Sequence, residues 1–211
     1  MSLTNNKTSI IGVTGGIGCG MTTVAQILAE PNSVIISGDK IAREIVEINQ
    51  PAFNALVNVF GKTILKADGV IDRRKLGDLA FSDLDKLDLL NKTIRPFWVE
   101  QLKTQIQFAR QNANGSAILV DAAILLEAGL KDVVDKLVVV TAPIKTRRER
   151  IRSRDFLDEC QIDQRIAAQI PVSEKAKQAD FVIENTGTLE QLKEKINQIK
   201  NELVVESIRN N

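Results

Sequence analysis

From Ser9 the chain runs through a short β-branched stretch, SIIGVT, into Gly15-Gly16-Ile17-Gly18-Cys19-Gly20-Met21-Thr22, and then into residues whose apolar positions Val24, Ile27 and Leu28 recur at helical spacing. A glycine loop between the end of a strand and the start of a helix constrains the fold more than any other feature of the sequence. It matches the phosphate-loop template of Gly, four residues, Gly, Lys, then Ser or Thr at every position but one. In that template backbone N–H groups cradle phosphate, and here Gly15 and Gly20 stand at the required spacing with Gly16, Gly18 and Cys19 between them. The hydroxyl, here Thr22, holds Mg²⁺. Met21 stands where the lysine belongs.

Two rival readings of the loop are weaker. A dinucleotide fingerprint starting at Gly16 and Gly18 would need glycine at 21, and a simple tight turn does not need four glycines in six residues. The methionine has neither charge nor donor, so it predicts a loss of about 3 kcal/mol or more in transition-state stabilisation, roughly a hundredfold to thousandfold in rate. Nucleotide binding is expected to suffer less than transfer. The sequence leaves open whether a cation elsewhere compensates or whether the residue was substituted deliberately.

The remaining pattern builds the fold around this loop. Val34–Ser37, Ala117–Val120, Leu137–Val140 and Phe181–Ile183 read as further strands, with Ala117–Val120 and Leu137–Val140 the continuous apolar runs of strands covered on both faces. Alternation with helices predicts an α/β fold, a doubly wound parallel five-stranded sheet whose ligand site lies outside the strands' carboxyl ends. Between residues 51 and 112 there is no convincing strand. Apolar residues there recur at three and four, a helical insertion whose last helix is expected to start near Pro96 and to stop at Asn114-Gly115. After Pro143 follow a basic helix, a polar helical stretch from Asp158 to Gln169, a break at Pro171, and a final amphipathic helix from Leu189 to about Leu203. The expected division is a core of 1–50, 113–145 and 178–211, the insertion 51–112, and a helical lid 146–177.

Composition excludes several classes of function. Lys plus Arg number 28 against 27 Asp plus Glu, so no basic surface for nucleic acid or membrane is expected. The apolar stretches are short, the start MSLTNNKTS lacks a signal-peptide core, and two cysteines make no disulfide framework, which together point to a cytoplasmic protein. With no histidine and no tyrosine, a general base near neutral pH falls to a carboxylate or a lysine.

Asp39, just past the second strand, is therefore either a helix cap or the base that takes a proton from an attacking hydroxyl. The segment Thr146–Asp155 carries five arginines in eight positions, with Arg150 and Arg154 on one face. It reads either as a solvated basic face or as a lid that brings arginine onto transferring phosphate. Cys19 reads as a thiol activated by the helix start or as a small loop filler. Trp98, Phe97 and Phe53 read as core more readily than as a stacking surface.

Taken in order, Thr14-Gly15-Gly16-Ile17-Gly18, Asp39-Lys40-Ile41-Ala42-Arg43, Phe60-Gly61, Ile71-Asp72-Arg73-Arg74 and Leu76 resemble the dephospho-coenzyme A kinase family. So do Leu125-Leu126-Glu127, Arg154-Asp155, Arg165-Ile166 with Gln169, and Ala179–Ile183 with Asn185 and Gly187. The resemblance spans about Ile10 to Gly187. It implies transfer of the ATP γ-phosphate, with Mg²⁺, to the ribose 3′-hydroxyl of dephospho-coenzyme A, the last step of coenzyme A synthesis; apart from the resemblance, a monomer or weak homo-oligomer is expected. Asp39 would be the base, and Arg43, Arg73 and Glu127 would line the acceptor side together with it. Gly18 to Thr23 would hold the ATP phosphates, Arg150 or Arg154 would come from the lid, Asn185 would lie near the adenine, and the insertion would be the acceptor domain. The chain departs from the family pattern at Met21, and also at Ser37 for an acid, Arg95 for a histidine, Ala123 for a proline and Arg147 for a glutamine. A nucleotide-binding pseudokinase and a kinase of another small nucleotide are the alternative expectations.

Overall fold

A computed structural model describes residues 8–112 and 116–209. The N-terminal segment and the expected helix stop at Asn114-Gly115 lie outside the described residues. Five strands, β1 (Ile10–Gly15), β2 (Val34–Ser37), β3 (Ile118–Asp121), β4 (Lys136–Thr141) and β5 (Phe181–Glu184), form one parallel sheet in the order β2-β3-β1-β4-β5. β1 is central, so the loop that follows it opens at the middle of the sheet's carboxyl edge.

Alternate residues of the strands feed two separate cores, as a doubly wound sheet requires. Ile11, Val13, Leu119, Val138 and Val140 pack with Val24, Ala25 and Leu28 of α1 (Met21–Leu28) and with Leu192, Ile196 and Ile199 of a long C-terminal helix. Ile10, Ile118, Val120, Leu137 and Val139 face the other way. They pack against α2 (Gly38–Glu44) and the helices that follow it, α3 (Pro51–Phe60), α4 (Arg73–Phe81) and α5 (Leu84–Asn112).

α5 corrects one expectation. It does not start at Pro96 but runs 29 residues with Pro96 inside it. The proline is exposed, so the missing N–H and the crowding it causes fall on the solvent side. Leu90, Ile94, Trp98, Leu102, Ile106 and Ala109, spaced by fours and a three, bury one continuous stripe that carries the helix through. Trp98, buried, and Phe53 and Phe97, partly buried, belong to that core.

The sequence between β4 and β5 folds as α6 (Ile144–Asp155), α7 (Glu159–Ala167) and a short α8 (Val172–Ala176) where only a break was expected. α9 (Leu189–Arg209) closes the fold. Among the described residues no helix is long and apolar enough to cross a membrane.

Candidate functional site

The glycine loop is held from behind and open in front. Gly18 and Gly20 have φ of +82° and +89°, a backbone region side chains rarely adopt, and Cys19 N donates to Gly16 O at 3.0 Å to close the turn. Each of the remaining fastenings reaches the loop from the C-terminal part of the chain. Gln169 Oε1 accepts from Ile17 N at 2.8 Å, Arg147 Nε donates to Ile17 O at 2.9 Å, and Asn185 Nδ2 donates to Cys19 O at 2.8 Å. Arg150 reaches Gly18 O at 3.3 Å and Lys175 Nζ reaches Gly15 O at 3.1 Å. The N–H groups of Gly18 and Gly20 have no acceptor among the described residues, and no side chain caps the start of α1. With the unpaired N–H groups that begin any helix, these make an anion cradle.

Thr22 Oγ1 donates to Asp121 Oδ2 at 2.7 Å. Asp121 is buried at the end of β3, and burial pushes its carboxyl pKa up; the Thr22 hydroxyl pulls it down, and the negative charge of Asp39 adds to the rise. A carboxylate held short of solvation beside a hydroxyl and a phosphate cradle fits a hard divalent cation with oxygen ligands. Among the described residues no three His, Cys, Asp or Glu side chains form a metal cage. Asp121 had no part in the sequence reading. An acid closing an apolar strand was the available signal, but the strand was expected to end at Val120.

Asp39 lies in the first turn of α2, and the cap is Ser37, whose hydroxyl accepts from Lys40 N at 3.3 Å. The capping role is thus filled by another residue, and the Asp39 carboxylate stays exposed. The turn that places it is tightly fixed. Trp98 Nε1 donates to Gly38 O at 2.9 Å, and a Cβ on Gly38 would stand 2.9 Å from both Trp98 and Ala122.

Asp39 opens onto a cleft that Arg43, Arg73 and Arg165 also line, with Ile71, Leu76 and Phe81 supplying apolar surface. Arg73 Nη2 donates to Arg43 O at 2.9 Å, which ties α4 to α2. Arg165 of α7 lies 4.6 Å over the Phe81 ring of α4, and its buried Nε has no acceptor. Arg165 was part of the motif that carries the resemblance yet was not expected in the site. The cleft reveals it because α7 folds back on α4, where Gln161 Nε2 also donates to Asp78 Oδ1 at 3.2 Å.

Other expected residues fall elsewhere. Glu127 does not line this cleft; it accepts from Lys175 Nζ at 2.7 Å and from Ile170 N at 3.1 Å, and its second oxygen is buried without a partner. Arg154 pairs with its neighbour Asp155 through two 2.8 Å hydrogen bonds, which hold its pKa up, and Asp39 adds to that effect at longer range. Thr23 is exposed at the loop, Asn185 is buried against it, and Met21 packs partly into the α1 core. The Cys19 side chain is fully buried in that same core, which leaves it the role of a filler.

A family model described as dephospho-CoA kinase matches residues 9–191. The dephospho-CoA kinase of Enterococcus faecalis is 39% identical over 189 residues, 90% of this chain and 94% of that protein. Among solved structures, TT1252 from Thermus thermophilus superposes with a TM-score of 0.73 at 30% identity, covering 93% of this chain and 98% of its own. A dephospho-CoA kinase from Campylobacter jejuni does so with a TM-score of 0.66 at 27% identity, covering 92% and 96%. The match takes in the loop, the Asp39 turn and the helices over the cleft alike, so the chain belongs to the dephospho-CoA kinase family.

Proposed function

We propose that the chain transfers the γ-phosphate of ATP to the ribose 3′-hydroxyl of dephospho-coenzyme A, the final step of coenzyme A synthesis in the cytoplasm. The observation that supports it best is the placement of a free carboxylate, Asp39, on a cleft beside the phosphate cradle and its Thr22–Asp121 pair. Residues 1–50, 113–145 and 178–211 serve as the nucleotide-binding core, 51–112 as the acceptor domain and 146–177 as the lid. The unpaired N–H groups of Gly18 and Gly20 and those of the first turn of α1, through Thr23, bind the ATP phosphates, and Asn185 holds the edge of the loop nearest the adenine.

Asp39 accepts the proton of the 3′-hydroxyl as that oxygen bonds to the γ-phosphorus and the bond to the ADP oxygen breaks. Arg43 and Arg73 orient the acceptor, whose diphosphate suits guanidinium donors. Arg150 fixes the loop from the lid side, and Arg154 lies close enough to Asp39 to feel its charge. Thr22 and Asp121 would hold Mg²⁺, which would supply neutralisation of the charge that develops in transfer.

The neutral Met21 favours one second reading, a protein that binds nucleotide with little or no turnover. Steady-state transfer from ATP to dephospho-coenzyme A separates the two, measured alongside ATP affinity in the native chain and in Met21→Lys. Coenzyme A is the expected product, and the added lysine raises kcat, one preorganised donor setting a ceiling of about 10²–10³-fold. Intact ATP binding with no transfer in either protein overturns the proposal in favour of the binding module. Faster turnover of another nucleoside would reassign the acceptor.

A further inference from the structure

Three cationic side chains contact the glycine loop among the described residues, and they differ in how much of their hydrogen-bonding capacity is already spent. Lys175 has three N–H donors and three acceptors, Gly15 O at 3.1 Å, Ala123 O at 2.6 Å and Glu127 Oε1 at 2.7 Å, so it has nothing left for a ligand. Arg150 spreads its terminal nitrogens over the carbonyl oxygens of Gly18, Cys19 and Asn185. Arg147 is different. Its Nε binds Ile17 O at 2.9 Å, while its two terminal nitrogens have no acceptor among the described residues.

The Arg147 guanidinium also lies closest to the loop backbone. A Cβ on Gly16 would stand 2.5 Å from Nη2 and 2.7 Å from Cζ, so the charge fills the space a side chain at 16 would need. A Cβ on Gly18 would stand 2.8 Å from Arg147 O. The residue is only 7% exposed, which keeps bulk water from screening its charge. The chain thus lacks a cation at 21, inside the loop, and carries one at 147, pressed against the same loop.

We propose that Arg147 is a charge-supplying residue of this kinase, providing next to the ATP phosphates the positive charge that Met21 does not. This rests on the phosphotransfer reading above. The guanidinium acts through its field on phosphate held by the loop.

A double-mutant cycle tests it, on Arg147→Gln, Met21→Lys and the pair. The readouts are kcat for transfer from ATP to dephospho-coenzyme A and, separately, the dissociation constant of inorganic tripolyphosphate. Arg147→Gln in the native chain is expected to lower kcat and to weaken tripolyphosphate binding, each by about tenfold, as loss of a charge-assisted interaction would. In the Met21→Lys background the same change is expected to cost less than about threefold, because a second cation is present. Arg147→Lys, which keeps the charge, should restore most of the native kcat.

Equal losses in both backgrounds would show a merely structural role and overturn the proposal, as would a neutral Arg147→Gln. Absence of transfer in every variant would sink the phosphotransfer reading alone, since the tripolyphosphate cycle still decides whether Arg147 supplies the missing charge.

Discussion

The two sides of the site are built in opposite ways. Around the phosphate loop the contacts that set its shape are already made, by Lys175, Asn185, Gln169 and Arg147 Nε, and much of it is buried, so that what stays unpaired there is donors for the ligand. Around the cleft, Asp39, Arg43 and Arg73 are exposed, and Arg165 has an unpaired nitrogen. A loop that binds by its backbone must have its shape before the ligand arrives, because reorganisation at that moment would consume the binding energy. A cleft that binds by long side chains from α2, α4 and α7 gains order from its ligand. Substitutions on the loop side should therefore damage stability and transfer together. On the cleft side they should leave the fold intact and act on the acceptor alone.

Asp39→Asn tests the contrast most severely. It removes the proposed base from an exposed position, so kcat should fall by about a hundredfold to ten-thousandfold while Tm and ATP affinity stay near the native values. Unchanged turnover would make Asp39 a bystander, since the helix cap is already Ser37.

Next in size is Lys175→Met, on the loop side. It strands the Glu127 carboxylate, which already has one unpartnered oxygen, and should cost about 3–5 kcal/mol. Thermal unfolding should shift down by roughly 10 °C. Burial lowers the Lys175 pKa, the Glu127 hydrogen bond and charge opposing it. The unfolded chain thus holds this proton to higher pH than the folded one, so Lys175 adds stability as pH rises from its lowered pKa toward the ordinary lysine value. The methionine variant should lack that rise relative to the native chain in urea titrations run from pH 8 to 10.5. A Tm within a degree of native would show that the loop does not depend on this fastening.

Arg165→Ala should have the smallest effect, raising the KM for dephospho-coenzyme A about tenfold with little change in kcat or in the KM for ATP. A larger change in the ATP constant would move Arg165 to the donor side and erase the distinction between the two regions.

The loop side was the more legible in sequence, for a physical reason. Backbone recognition demands glycines at fixed spacing between a strand and a helix, and Gly15 to Thr22 carries that requirement in consecutive residues. The four other strands showed as apolar runs because both their faces are covered. What was hidden depends on contacts across the fold. Asp121 became part of the site only because β3 extends one residue past the expected end, to meet Thr22. Pro96 masked the first half of α5, whose core stripe outweighs the local cost. α8 is five residues long, too short for any periodicity, yet it delivers Lys175. Arg165 and Glu127 sat in the right motifs, but which neighbour each would meet depended on how α7 and α8 dock.

The fastenings behind the glycine loop carry a consequence for synthesis. Lys175 meets the loop across 160 residues of sequence, Gln169 across 152 and Asn185 across 166. A nascent chain therefore exposes the loop well before the full set of contacts that sets its shape, which is complete only when Asn185, just past β5, has left the ribosome. Such long-range closure slows folding, and it ties the appearance of phosphate affinity to the synthesis of the segment from α6 to β5. A chain truncated at the end of α7 would carry the whole binding motif and lack Gln169, Lys175 and Asn185, three of the side chains that hold it ready for a nucleotide.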